Sequence, residues 1–231
     1  MNLPALTNEQ LETYKRDGYL VVPDVLSPAE CDQALALFKE HSGAEYSEIV
    51  NPHKKFQQVM DIMKRPQSVA ILEALQGTRV CGLQSMFVWK KAGTPDARKA
   101  WNVHQDATYL KTEFGTYLGG DYLLDDHDKE NGCLYFYPGS HNEPLLEYDP
   151  TKSEGDNPGN KVREIPPQYK KVDLVAKKGS FLIIHGNVMH GSYANVSADR
   201  SRATLLQAFI NEGAYFYPGH KGDRVAIPLH D

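Results

Sequence analysis

The chain has 231 residues, 41% of them hydrophobic, and a formal net charge of −5. That length fills one core or at most two modest domains, and the mild acidity offers nothing to a nucleic acid or an anionic membrane. The opening MNLPALTNEQ lacks the basic-then-apolar pattern of a secretory signal, no apolar run reaches the length of a membrane span, and Cys31, Cys81 and Cys133 form no CxxC pair. The sequence therefore reads as a cytoplasmic protein with reduced thiols.

In chain order, Thr7 and Gln10 have the spacing of a capping box ahead of a helix carrying Leu11 and Tyr14, and Gly18 stops it. YLVVPDVL follows as a short apolar strand broken by Pro23. SPAE opens a second helix, with Ser27 to cap, Pro28 at the first helical position and Glu30 to close the box. Cys31, Ala34, Leu35 and Phe38 give it one buried face. A third helix is predicted over residues 67–76, ending at Gly77.

From residue 79 the pattern changes to short strands rich in β-branched and aromatic residues: RVCGLQSMFVWK, GDYLLDD, CLYFYPGS, VDLVAKKGSFLIIHG and RATLLQAFIN. Such spacing predicts a sandwich or barrel rather than alternating βαβ units. The polar, Pro- and Gly-rich stretch at 142–168 is predicted to be a lid-like insertion near its mouth. The whole reads as one domain over 1–231, with a helical layer at about 1–78 and a β core at about 79–215.

VHQDATYL at 103–110 looks like the start of a strand, and residues i and i+2 of a strand leave the same face. His104 and Asp106 would then point together at a common target. A third group is available in FLIIHGNVMHGS, as His185 or His190. Two histidines and one carboxylate on one face of a metal leave three positions open, the pattern of non-haem Fe(II) oxygenases. A structural zinc site would need four closed ligands, usually with thiolates.

The stretches YKRDGYLVVPDVLSPAECDQAL, HQDATYL, ENGCLYFYPGSH and HGSYANVSADRSR, in that order, strongly resemble the phytanoyl-CoA dioxygenase family of iron(II)/2-oxoglutarate oxygenases. The resemblance covers nearly the whole chain. It implies a mainly β fold, a double-stranded β-helix (jelly-roll) core under an N-terminal helical layer, with Fe(II), 2-oxoglutarate as cosubstrate and O2. It makes His104, Asp106 and His190 the metal ligands and the catalytic centre, and aligns His185 with a position that is not a ligand. The arginine gripping the distal carboxylate of 2-oxoglutarate maps to Arg202, which opens RATLLQAF. Arg200 is the other choice, because the loop before it is one residue longer than is common in the family. Ser192 would add a hydroxyl to the same carboxylate.

The implied reaction is hydroxylation of an unactivated C–H of a small molecule, releasing succinate and CO2. A relative that binds a metal or small molecule without turnover is the alternative, although all four key positions are filled here. A hydrolytic metal enzyme on a similar barrel would have no use for Arg202. No motif sets the oligomeric state.

One departure bears on the substrate. Where relatives carry a bulky aromatic, LGGDYLLDD places Asp121. A carboxylate facing the pocket calls for a cationic partner, so an amine-bearing or zwitterionic substrate is expected; pairing with a nearby Lys or Arg, or exposure to solvent, is the other reading. Gln84 is a candidate contact for 2-oxoglutarate or substrate, or a packing residue. Tyr109, Trp89 and Trp101 are candidates for the pocket border. His141 reads as structural, and the KK pairs as solvated surface.

Overall fold

A computed structural model describes residues 6–41, 47–149, 161–219 and 223–230. The first helix, α1 (Asn8–Asp17), starts on the box its sequence predicts. The Gln10 N–H donates to Thr7 Oγ1 at 3.2 Å, and Gln10 Oε1 takes the Thr7 N–H at 2.9 Å. Gly18 ends it at φ +79°, a left-handed conformation that favours glycine. After β1 (Tyr19–Val22), Ser27 and Glu30 close a second box on α2 (Pro28–His41), whose buried residues are the predicted Cys31, Ala34, Leu35 and Phe38.

The short strand β2 (Ser47–Val50) and helix α3 (Gln57–Met63) were not expected. Phe56 at the start of α3 makes no side-chain cap, so no local signal announces that helix. Burial of Val59, Ile62 and Met63 holds it instead. Helix α4 (Pro66–Gln76) is the predicted third helix, closed by Gly77.

The β region begins with β3 (Val80–Lys90) and β4 (Trp101–His104), followed by the one-turn helix α5 (Ala107–Leu110). It continues through β5 (Tyr117–Leu123), β6 (Leu134–Phe136), β7 (Tyr148–Asp149), β8 (Lys161–Val162) and β9 (Val172–Asp173). The last strands are β10 (Phe181–His185), β11 (His190–Ser192), β12 (Arg202–Asn211) and β13 (Ile227–Pro228).

Two antiparallel sheets form the jelly-roll. The major one runs β1-β10-β5-β12-β3-β13, with β2 also on β3, and the minor one runs β4-β11-β6-β9. Strands alternate their faces, and β12 shows the consequence. Ala203, Leu205 and Phe209 join the core under the helical layer, while Arg202, Thr204 and Leu206 line a cavity between the sheets. Trp89 lies on the helical side with Phe38 and Phe87, under the ammonium groups of Lys39 and Lys91, each 5.5 Å from its ring. It does not border the cavity, whereas Trp101 does.

Gly120, in the middle of β5, lies tight against rings carried by the neighbouring strands β10 and β12. A Cβ there would fall 2.6 Å from Phe209 Cε2 and 2.9 Å from Phe181 Cζ. Both rings are fully buried and cannot swing away. A Gly120→Val protein should lose about 3 kcal/mol, roughly 6–12 °C in Tm, measured by thermal and denaturant unfolding; an unchanged midpoint would show that the rings yield.

The described part of the 142–168 insertion is not free loop. β7 and β8 pair as a ribbon, the Tyr148 and Thr108 hydroxyls hydrogen-bond, and the Leu146 N–H donates to Gln105 Oε1 at 2.8 Å. Residues 150–160 of the predicted lid lie outside the described residues. No described helix is long and apolar enough to cross a membrane.

Candidate metal centre and its cavity

His104 closes β4, and β11 pairs beside it with His190 directly opposite. Cross-strand neighbours bring their side chains together, and the two imidazole centroids are 4.4 Å apart. Asp106 reaches them by a route the sequence did not suggest. It is not extended but helical, at φ −63° and ψ −33°, the residue that leads into α5. The chain turns after His104 and carries the carboxylate back, to 3.3 Å from His104 Nε2 and 3.8 Å from His190 Nε2. The convergence expected from strand geometry is thus achieved by a strand end and a helix start.

One potential ligand atom from each of the three lies within 4.8 Å of the others. Nδ1 of His104 is 2.7 Å from the Asn102 carbonyl, and Nδ1 of His190 is 3.1 Å from the Val188 carbonyl. A carbonyl only accepts, so each Nδ1 carries the proton and each Nε2 lone pair is turned toward the shared point, the arrangement a metal requires.

Charges follow. Burial pushes His104 down, but the Asp106 carboxylate and the Asn102 carbonyl outweigh it, and its pKa is raised. Burial pushes Asp106 up, but the two imidazoles outweigh it, and its pKa is lowered. Burial and the charge of His104 hold His190 down at about 4.

A cavity of about 280 Å³ opens on this cluster and contains most of the other predicted residues. Arg202 is buried on its wall, with Nη1 donating to Thr204 Oγ1 at 2.8 Å. Arg200 lies in the turn before β12, where its guanidinium grips Asp128 and Glu130 at 2.5 Å, outside the cavity. Of the two arginines only Arg202 can meet a ligand held at the triad.

Ser192 lines the cavity too, and its partner was missed. Lys90, read as surface because it belongs to a KK pair, is buried opposite Arg202 in the β3–β12 ladder. Its Nζ donates to Ser192 Oγ at 2.8 Å, to the Lys99 carbonyl at 3.1 Å and to the Tyr193 carbonyl. Burial and the charge of Arg202 push its pKa down to about 6. Ser192 Oγ accepts from Lys90, so its own hydroxyl proton is available to a further acceptor. Arg202, which keeps its charge when buried, makes this end of the cavity a place for an anion, while Lys90, pushed down to about 6, is mostly an uncharged amine at neutral pH. Asn195 of the GSxxN run holds the loop behind it, donating to the carbonyls of Lys90 (2.9 Å) and Arg200 (2.8 Å).

Asp121, on β5, is buried on the cavity wall and not exposed to solvent. Burial and the charge of Asp106 push its pKa well up, opposed by Arg202 and the Gln207 N–H. Tyr109 sets its ring edge against His104, with centroids 5.9 Å apart. Gln84 lines the cavity, but its Oε1 accepts from Arg224 Nε at 2.7 Å, so that oxygen serves an arginine the sequence reading did not single out. Gln105, between His104 and Asp106 in the HQD run, was also missed. Its buried amide donates to the Asn187 (2.8 Å) and Pro144 (3.2 Å) carbonyls and so ties the insertion to the centre. His185 and His141 pack on each other at 5.1 Å, near Tyr14, and neither lines the cavity.

Comparison with known proteins identifies the family and the fold. Residues 14–204 match the family model described as Phytanoyl-CoA dioxygenase (PhyH). The chain is similar to phytanoyl-CoA dioxygenase domain-containing protein 1 of Danio rerio, 27% identical, covering 87% of this chain and 88% of that protein. The Mus musculus protein of the same name is 30% identical over 69% of this chain, a stretch that spans only 55% of its own length. Among solved structures, the epimerase SnoN in complex with Fe3+, alpha ketoglutarate and nogalamycin RO superposes with a TM-score of 0.78 at 22% identity, covering 96% of this chain and 95% of that one.

Proposed function

Because the chain belongs to the phytanoyl-CoA dioxygenase family, we propose that it is an Fe(II)- and 2-oxoglutarate-dependent dioxygenase that hydroxylates an unactivated C–H of a small amine-bearing or zwitterionic molecule, with release of succinate and CO2. The observation that carries this reading is the shared cavity. His104, Asp106 and His190 gather at one end of it, and Arg202 presents a guanidinium to the same space.

The residues fit the groups. Two neutral Nε2 atoms and one carboxylate suit Fe(II) and leave three positions for a chelating cosubstrate and O2. Bound there, iron and 2-oxoglutarate supply the oxidative chemistry that side chains cannot. The protein does the rest. Arg202 binds the cosubstrate's distal carboxylate through its planar fork, and Ser192, its rotor set by Lys90, donates a hydroxyl proton to the same group. Leu134, Ile184 and Leu206 on the walls exclude water. Tyr109 borders the substrate space, and Asp121 faces the substrate's ammonium. Such a cation would offset the repulsion between the two buried carboxyls, Asp121 and Asp106.

The test is anaerobic reconstitution with Fe(II) and 2-oxoglutarate, followed by a screen of amines and neutral analogues for oxygen-dependent succinate release. A weak visible charge-transfer band on adding 2-oxoglutarate is expected first. Asp121→Asn should then reduce kcat/KM for amines by about ten- to a hundred-fold while leaving neutral analogues much less affected. Equal turnover of amines by parent and variant removes the amine assignment; absence of the band removes the oxygenase reading.

A further inference from the structure

The C-terminal segment returns across the mouth of the site. β13 adds to the edge of β3 at Cys81 and Gly82, and this brings Arg224 to the cavity wall. A more open vestibule of about 490 Å³ lies outside, walled in part by Val50, Tyr217 and Pro218. Gln84, Tyr109 and Arg224 line both spaces, so they mark the boundary between them.

Arg224 is fixed on one side only. Nε donates to Gln84 Oε1 at 2.7 Å, and Nη1 donates to the carbonyls of Tyr217 (3.2 Å) and Tyr109 (3.5 Å). All three acceptors are neutral. Among the described residues no carboxylate pairs with this guanidinium, and Nη2 has no acceptor. Tyr109 is the residue whose ring meets His104, so one residue links the guanidinium to the His104–Asp106–His190 cluster. The buried phenol of Tyr117, raised by burial and by the charges of Asp106 and Asp121, feels Arg224 as the opposing charge. A preorganised, half-buried cation with a free donor edge at the entrance to a site is an anion receptor.

We propose that Arg224 anchors the anionic end of the substrate. A carboxylate arriving through the vestibule pairs with the Nη2 edge of Arg224, while the body of the molecule extends inward toward the triad and its ammonium toward Asp121. This rests on the oxygenase reading above and narrows it: the substrate is a zwitterion with its charges at opposite ends, and the span between Arg224 and Asp121 selects which carbon faces the metal. Arg202 keeps the cosubstrate and Arg224 takes the substrate, so the two carboxylates do not compete for one cation.

The probes are amino acids whose ammonium and carboxylate are separated by increasing chain length, each paired with its primary carboxamide. The full chain, loaded anaerobically with Fe(II) and 2-oxoglutarate, is titrated with each pair and binding is read from the shift in Tm; succinate release is then measured on admitting oxygen. The free acid should bind about tenfold or more tightly than its amide. Arg224→Gln should erase that ratio, and Arg224→Lys should keep part of it. Acids and amides that behave alike across the panel, including a panel in which nothing binds, overturn the proposal, as does a ratio that survives Arg224→Gln. Failure of the oxygenase reading shows separately, as a missing charge-transfer band in the parent, and the acid-to-amide comparison in the melting data still decides the role of Arg224.

Discussion

An Asp106→Ala protein should bind ferrous iron at least ten- to a hundred-fold more weakly than the parent, roughly the loss that removal of a mere outer partner of a ligand already causes. Here the carboxylate is both a ligand candidate and the group that sets the charge of its neighbours, so a second effect is expected. In the metal-free protein Asp106 raises the pKa of His104, which means that His104 holds a proton to higher pH than an ordinary imidazole. Iron must displace that proton. Below the raised pKa, affinity of the parent should fall by about tenfold per pH unit, and above it should level off. Removing Asp106 takes away the group that holds the proton, so in the variant the fall should begin at lower pH even though the plateau is weaker. Anaerobic Fe(II) titrations across pH separate the two effects. A variant that matched the parent in both plateau and onset would show that iron is held elsewhere.

How legible all this was depended on how local each cause is. The boxes at Thr7–Gln10 and Ser27–Glu30 lie within four residues, and the helices they start could be read directly. Helix α3 has no such mark, since its stability comes from Val59, Ile62 and Met63 packing under the sheet. The strands were readable from their composition, and the alternation along β12 separates core from cavity as a period of two demands. At the centre, the HxD pair was legible as chemistry but not as backbone. The turn into α5, not the strand, brings Asp106 to His104. The opposition of His104 and His190 across β4 and β11 depends on register, which no local signal encodes. Lys90 could not be read at all. Its burial comes from the ladder with Arg202 and from acceptors contributed by Lys99, Ser192 and Tyr193, whereas a KK pair by itself suggests solvent. Arg224 was hidden for the same reason, because only the pairing of β13 with β3 carries the tail back to the mouth.

Arg202→Ala should raise the KM for 2-oxoglutarate by roughly thirty- to a thousand-fold, about 2–4 kcal/mol, the range found when one member of a buried, hydrogen-bonded charge pair is truncated. The argument runs from position to magnitude. Arg202 is buried on the cavity wall and Thr204 Oγ1 steadies its Nη1, so a carboxylate that reaches it is desolvated and meets a fixed partner. Arg200→Ala is the control. Its ion pairs with Asp128 and Glu130 sit on a half-exposed turn, where such pairs contribute about 0–1 kcal/mol, and the KM should move less than about threefold. Arg202→Lys should recover only part of the loss, since an ammonium cannot offer two parallel donors. A third observation distinguishes an anchor from a structural strut. Burial and, after it, the charge of Arg202 push the pKa of Lys90 down, so removing Arg202 makes the protonated form of Lys90 easier to hold and leaves no buried charge without a partner. The Arg202→Ala protein should therefore keep a Tm near the parent's while losing cosubstrate affinity. A KM that stays put in Arg202→Ala, or one that rises in Arg200→Ala instead, assigns the cosubstrate's far carboxylate to a different cation.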